Sequence, residues 1–176
     1  MAIEMGRKSN DTKILAMLAG IIGIFAVLSF FIEESLGAWW QVEIDYVIGK
    51  TTNYYNAFGM SSGEDSELAL EMLGLVAGII YLLGSVFIIY AASKETKGIG
   101  ILSALMMVGG LVLFCYALAN NETLEGITDF LNFITGSDEY NVFFGEWTIY
   151  SWRLGNGFFI GTAGAIIGLI GAAKIP

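Results

Sequence analysis

Carboxylates are the most numerous reactive groups in this chain. It has 17 acidic residues against 8 basic ones, no histidine, and one cysteine, Cys115. The lack of histidine excludes imidazole acid–base catalysis. A lone cysteine cannot form an internal disulfide, and the usual zinc and haem ligand sets need histidine or several cysteines. No spacing pairs two carboxylates for acid–base work, so we expect a protein that is not an enzyme and needs no metal or cofactor.

Two short acidic runs, Glu64-Asp65-Ser66-Glu67 and Asp138-Glu139, offer the oxygen ligands that calcium prefers. Neither run has the ligand spacing of a calcium-binding loop. The first run also stands just before an apolar stretch, where its charges would stabilise the positive N-terminal end of a helix. We therefore interpret both runs as surface charge and expect no ordered ion there.

Four apolar runs set the environment in which these charges must lie. They cover about residues 14–32, 68–92, 98–119 and 154–173, and each is close to the roughly 20 residues that a membrane-spanning helix needs. Only 14% of the chain is charged, against about 25% in soluble domains. The predicted fold class is an all-α membrane protein, a four-transmembrane-helix bundle with a small extracellular layer, in a single integral membrane domain over residues 1–176.

The middle of each apolar run contains no Asp, Glu, Lys or Arg. Ionisable groups within a bilayer mark proton relays, ion paths and transport sites. A pump or a proton-coupled transporter is therefore disfavoured, and a channel would have to rely on the Ser, Thr, Tyr and Asn side chains of the helices.

The distribution of Lys and Arg predicts how the chain is oriented in the membrane. Six of the eight fall on one side after four crossings: Arg7, Lys8, Lys13, Lys94, Lys97 and Lys174. Lys50 and Arg153 fall on the other side together with fourteen of the acids. We expect a multi-pass protein of the cell membrane with both termini in the cytoplasm. An outer face this acidic excludes nucleic acid as a partner and favours cations or basic proteins.

Small residues recur at helical spacing in the fourth run. Five glycines there are four, three, four and three residues apart, which places them on one face of a helix: Gly157, Gly161, Gly164, Gly168 and Gly171. The second run adds Gly74 and Gly78. A face without side chains lets another helix backbone approach closely. We expect these glycines to pack the bundle, and the alternative is an assembly seam between copies in the membrane.

The outer segments, about 33–67 and 120–153, are longer than connectors. Polar and apolar residues alternate over 41–46, and strand-favouring residues follow over 51–55. This pattern predicts a β-hairpin with its turn at Gly49-Lys50.

In the second outer segment, apolar residues at helical spacing predict a short amphipathic helix: Leu124, Ile127, Phe130, Leu131 and Ile134. Asn121 or Thr123 is the expected N-cap. Asn121-Glu122-Thr123 is also a glycosylation sequon. The residues that follow, 142–144 and 147–150, fit either short strands or an aromatic belt.

The outer segments hold all four tryptophans of the chain. We interpret five aromatic residues as a partner surface or a belt at the level of the lipid headgroups: Trp39, Trp40, Trp147, Tyr150 and Trp152.

Near its start, the first outer segment contains Leu36-Gly37-Ala38-Trp39-Trp40. With four helices, inner termini, two structured outer segments and a short inner turn, this arrangement resembles claudin-like tetraspan proteins. The paired outer cysteines of that family are not in this sequence, so the resemblance implies a similar topology and not membership.

These features favour a non-catalytic tetraspan membrane protein that acts as a structural or interaction scaffold through its acidic, aromatic outer loops and glycine-rich helices. The expected partners are the lipid bilayer and other membrane or envelope proteins, or a homo-oligomer. The alternative is an accessory subunit of a larger membrane enzyme or transporter complex. A small channel or transporter ranks below both.

Overall fold

The chain folds into a bundle of four long helices that carries a small β-sheet at one end. The computed structural model describes residues 2–46, 49–62, 70–136 and 140–175, except for the side chains of residues 2–12, 71, 123 and 127. The bundle helices are α1 (Ala2–Leu28), α3 (Glu71–Lys94), α4 (Lys97–Ala119) and α6 (Asn156–Ala173).

Each bundle helix contains a stretch that is long and apolar enough to cross a membrane: Lys13–Phe31, Met72–Lys94, Lys97–Ala119 and Asn156–Ala173. The prediction of four such helices is confirmed. Their length and composition are those of a multi-pass membrane protein. The label all-α is wrong, because the outer segments also form a four-stranded sheet.

Around the bundle the helices follow the order α1, α3, α4, α6, and α6 closes back on α1. The glycine face of α6 is buried in this arrangement. A Cβ atom at Gly171 would lie 2.8 Å from the backbone nitrogen of Ala16, and one at Gly164 would lie 3.3 Å from that of Gly23. Gly164 and Gly171 thus let α6 lie directly against α1, whereas Gly157 and Gly161 pack against Gly37, Trp39 and Tyr81, so all five glycines are buried within one chain.

Gly74 and Gly78 have a different role from the one expected of them. Their nearest neighbours lie in the outer loop after the first hairpin, because Gly59 lies over Gly74 and the Phe58 ring over Gly78. These two glycines therefore pack a loop on α3 and not a helix. The close contacts between α3 and α4 use Gly84 and Gly110 instead.

The sheet combines strands from both outer segments. The strands are β1 (Trp40–Tyr46), β2 (Gly49–Tyr55), β3 (Phe144–Trp147) and β4 (Tyr150–Leu154). Their order is β2-β1-β4-β3, and all pairs are antiparallel. The predicted hairpin is present, but Gly49 and Lys50 pair with Tyr46 and Asp45 inside the ladder. The connection is therefore at 47–48, which lies outside the described residues.

Three smaller elements complete the outer end. A 3-10 turn (Ser29–Phe31) and the short helix α2 (Glu34–Gly37) follow α1, and the amphipathic helix α5 (Glu122–Thr135) follows α4. The sequence predicted α5, and its cap is Asn121, whose side chain accepts a hydrogen bond from the Leu124 N–H at 3.1 Å.

The opposite end of the bundle holds the two chain termini and the turn between α3 and α4. Lys13 forms an ion pair with Glu95 in that turn. The side chain of Ile175 lies next to Gly100 near the start of α4. The structure thus places the described parts of both outer segments at one end of the bundle and the described ends of the chain, Ala2 and Ile175, at the other.

Candidate functional site: the outer layer

One face of the sheet forms an aromatic core of its own. Because side chains alternate along a strand, Trp40 and Trp152 point to the same face, and both are buried. The Trp40 ring lies 5.1 Å from that of Tyr55. Burial raises the pKa of the Tyr55 hydroxyl.

Segment 140–143 and α5 cover this face. The indole of Trp40 donates to the Val142 carbonyl at 3.1 Å, and that of Trp152 donates to the Asn141 carbonyl at 2.7 Å. Asn132 of α5 makes two hydrogen bonds with the backbone of Tyr140, both at 3.1 Å. Every polar atom of the two indoles is therefore paired, and the tryptophans fix the segment in place.

Gly145 shows how closely this core is packed. The Trp152 indole lies across β3 at this position, and a Cβ atom there would come within 2.1 Å of the ring. Only glycine leaves room for the indole, so the pair holds β3 against β4.

Trp39 connects the outer layer to the bundle. Its side chain has no exposed surface, and its indole donates to the Ala26 carbonyl at 3.0 Å. That carbonyl is one of the last four of α1, which a regular helix leaves without a partner. The Trp39 backbone also bonds both to the sheet and to the residue before α6, since its N–H donates to the Tyr55 carbonyl at 2.7 Å and its carbonyl accepts from Gly155 at 3.0 Å.

The Trp39 ring sits among aromatic side chains from three helices. Its centroid lies 5.1 Å from that of Tyr81 on α3, 5.1 Å from that of Phe114 on α4 and 5.8 Å from that of Phe158 on α6. All three contacts are edge-to-face, a favourable geometry for aromatic pairs. Counting Ala26, one tryptophan of the outer segment thus touches all four bundle helices.

The opposite face of the sheet is polar. Lys50 lies 2.6 Å from a carboxylate oxygen of Glu43 and 3.3 Å from one of Asp45. The hydrogen bond that the Lys50 ammonium donates to Glu43, followed by the one it donates to Asp45, raises the pKa of that ammonium. Gln41 accepts from the Arg153 guanidinium at 2.7 and 3.0 Å when its amide oxygen faces the arginine. The two basic residues of the outer segments are therefore both engaged with the sheet.

The end of the sheet farthest from the bundle exposes apolar side chains. Tyr46, Ile149 and Tyr150 are exposed there, and we call these three residues the tip. Six residue steps of β1 separate Tyr46 from Trp40, about 20 Å along an extended strand. The adjoining turn contains Thr148 with a φ of 49°, a left-handed conformation that is rare for a β-branched residue. Strain of this kind collects at functional positions.

The interior of the bundle offers little chemistry among the described residues. Its clearest polar contact is the Tyr81 hydroxyl, which donates to the Gly161 carbonyl of α6 at 2.7 Å. Among the described residues no group of three His, Cys, Asp or Glu side chains could hold a metal. The acidic runs at 64–67 and 138–139 lie outside the described residues.

The structure separates the five aromatic residues that the sequence grouped together. Trp39, Trp40 and Trp152 are core residues, so they offer almost no exposed surface for a partner or a belt. Trp147 is half-buried, and Tyr150 is exposed at the tip. The reason is their position along the strands, because the register puts Trp40, Trp152 and Tyr150 on the same face of the sheet. Segment 140–143 covers that face near the bundle, whereas Tyr150 lies at its exposed far end.

Sequence reasoning missed the three aromatic neighbours of Trp39 in the bundle. Phe114 and Phe158 look like ordinary residues of an apolar run. The hydroxyl of Tyr81 in the middle of such a run was the one available signal, because a buried hydroxyl needs a partner.

Comparison of the chain with protein-family models, with curated proteins and with solved structures finds no match in any of the three.

Proposed function

We propose that this chain is a non-catalytic tetraspan membrane scaffold that presents its outer sheet to a protein partner. The observation that carries the proposal is the way Trp39 joins the sheet to all four helices. An outer layer joined in this way is held in a fixed position relative to the bundle. A surface that is ordered before binding loses less conformational entropy when a partner docks.

The tip is the part of this layer that fits a partner best. Its exposed apolar side chains, Tyr46, Ile149 and Tyr150, stand beside a strained turn. Aromatic residues at the centre of a contact supply much of the binding energy of protein interfaces. The outer segments carry thirteen acids and two bases, so the partner should be a membrane or envelope protein with an apolar contact surface and a basic rim.

The orientation and location follow from the same proposal. The bias of Lys and Arg toward the end that holds both termini supports an orientation with that end in the cytoplasm and the sheet outside the cell membrane. An accessory subunit of a larger membrane complex would use the same surface, and the identity of the captured partner distinguishes it from an envelope scaffold.

Site-specific photo-crosslinking in native membranes tests the proposal. A photo-reactive residue replaces Ile149 at the tip, and the matched control places it at Glu146, which is exposed on the polar face of the neighbouring strand. We expect one discrete crosslinked product at 149 and none at 146. A chain that crosslinks to nothing at 149 and that is extracted alone would contradict the scaffold proposal.

A further inference from the structure

Helix α5 has three distinct sides. Leu124, Thr128 and Leu131 form its buried side. A second side exposes large apolar residues, since Phe133 is 85% exposed and Phe130 is 59% exposed. Ile134 extends this side. The third side is acidic and exposed, with Glu122, Glu125 and Asp129. Exposure of this second, apolar side to water is unfavourable, so we expect an apolar surface to cover it.

Both ends of α5 are held close to the bundle. Its first residue follows the last residue of α4 by three positions, so it begins at the outer end of an apolar helix. Near its other end, Asn132 is bonded to Tyr140, whose ring lies 6.2 Å from that of Trp152. Trp152 is two residues from Leu154, the end of β4 next to α6. α5 therefore runs across the outer end of the bundle and does not extend away from it.

Apolar side chains of the bundle are also exposed at this level. Phe31 and Ile32 follow α1 at its outer end, and Met72 lies in the first turn of α3. All three are more than half exposed. The apolar belt of the bundle thus continues up to the end of the helices at which α5 begins, and the apolar side of α5 continues the same belt.

We propose that α5 is an interfacial helix that rests on the outer leaflet of the membrane, with Phe130, Phe133 and Ile134 inserted among the lipids. Amphipathic helices bind the membrane surface in this way through an apolar side. The described part of α5 has acids and no bases, so its contact depends on apolar burial and not on anionic lipids. Glu125 then faces water, and Asp129, four residues before Phe133 on the helix, lies at the boundary between water and the headgroups.

Spin-label accessibility of the full chain in phosphatidylcholine bilayers tests this proposal. Cys115, the single cysteine, is replaced by alanine, and labels are attached at Phe133→Cys and, as the matched control, at Glu125→Cys on the acidic side. Molecular oxygen concentrates in lipid, whereas a neutral nickel chelate stays in water. We expect the oxygen-to-nickel accessibility ratio to be severalfold higher at 133 than at 125. Labels at Phe130→Cys and Ile134→Cys provide the same comparison if the first variant does not fold.

Two results would overturn the proposal. Equal nickel accessibility at 133 and 125 would show that the apolar side faces water. Low accessibility to both reagents at 133 would show that protein covers it, and spin–spin broadening that disappears on dilution with unlabelled chain would identify a second copy. Neither result depends on whether the tip binds a partner.

Discussion

Replacement of Trp39 by alanine should destabilise the protein more than any other single truncation in the outer layer. The indole is fully buried and touches Tyr81, Phe114 and Phe158. Removal of a buried tryptophan costs about 3–5 kcal/mol of unfolding free energy. The change also leaves the Ala26 carbonyl without its indole donor, and an unsatisfied buried acceptor costs about 1–3 kcal/mol. Because these two contributions overlap, we expect a total loss of about 4 kcal/mol.

Two further variants separate packing from hydrogen bonding. Trp39→Phe keeps an aromatic ring in the cluster and loses the indole donor, so it should cost about 1–2 kcal/mol. Trp147→Ala is the control, because it removes an indole that is only half-buried and lies near the far end of the sheet. The free energy of unfolding is measured by titration with a denaturing detergent in mixed micelles, followed by circular dichroism.

The order of the three losses decides the outcome. The largest loss should belong to Trp39→Ala, with the other two well below it. If Trp39→Ala costs no more than Trp147→Ala, Trp39 does not join the layers in the way we describe, and the main support for the scaffold proposal is lost.

Three further predictions concern single positions. Gly171→Ala should destabilise the bundle by about 1–3 kcal/mol, because the new methyl meets the Ala16 backbone. At Gly109 an added Cβ atom would meet no neighbouring element within 4 Å. Gly109→Ala should therefore stabilise the bundle by up to about 1 kcal/mol in the same detergent titration. Thr148→Gly should raise the free energy of unfolding by about 1 kcal/mol, because it relieves the left-handed backbone, and should weaken crosslinking at the tip if that geometry presents it. The pKa of Lys50 is raised above 10.5 in the folded state. Its ion pairs therefore stabilise the fold fully below that pH and are lost as the pH rises through the folded-state pKa. The difference in melting temperature between wild type and Lys50→Gln should be constant from neutral pH to about 9 and vanish at higher pH.

The parts of the fold that could be predicted are those set by local pattern. Four apolar runs give four helices because the length of a run and its lack of charge decide whether it can cross a bilayer. The strand alternation over 41–46 and the helical spacing over 124–134 gave the first hairpin and α5, since both periods are visible within a few residues.

The joining of the two outer segments could not be predicted in this way. Val42 pairs with Trp152 across 110 positions of the chain, and no local period encodes that contact. The same limit explains why Trp39 and Tyr150 were assigned to one surface. Both are aromatic residues of an outer segment, and only the sheet and the bundle together show that one is buried and the other exposed.

The link between the layers also constrains how a partner at the tip would act on the bundle. The central strands β1 and β4 both lead directly to the bundle, one through Trp39 and the other through Gly155. Gly157, in the first turn of α6, donates to the Ala38 carbonyl at 2.7 Å, and the Trp39 indole bonds to the end of α1. A tilt of the sheet would have to break its hydrogen bonds to α1 and α6 together. The glycine-lined contact between these two helices is too closely packed to shift in compensation. A partner that pulls on the tip would therefore strain the hydrogen bonds to α1 and α6 directly. It would act on α3 and α4 through the ring contacts of Trp39 and, at α3, also through the loop that packs on Gly74 and Gly78.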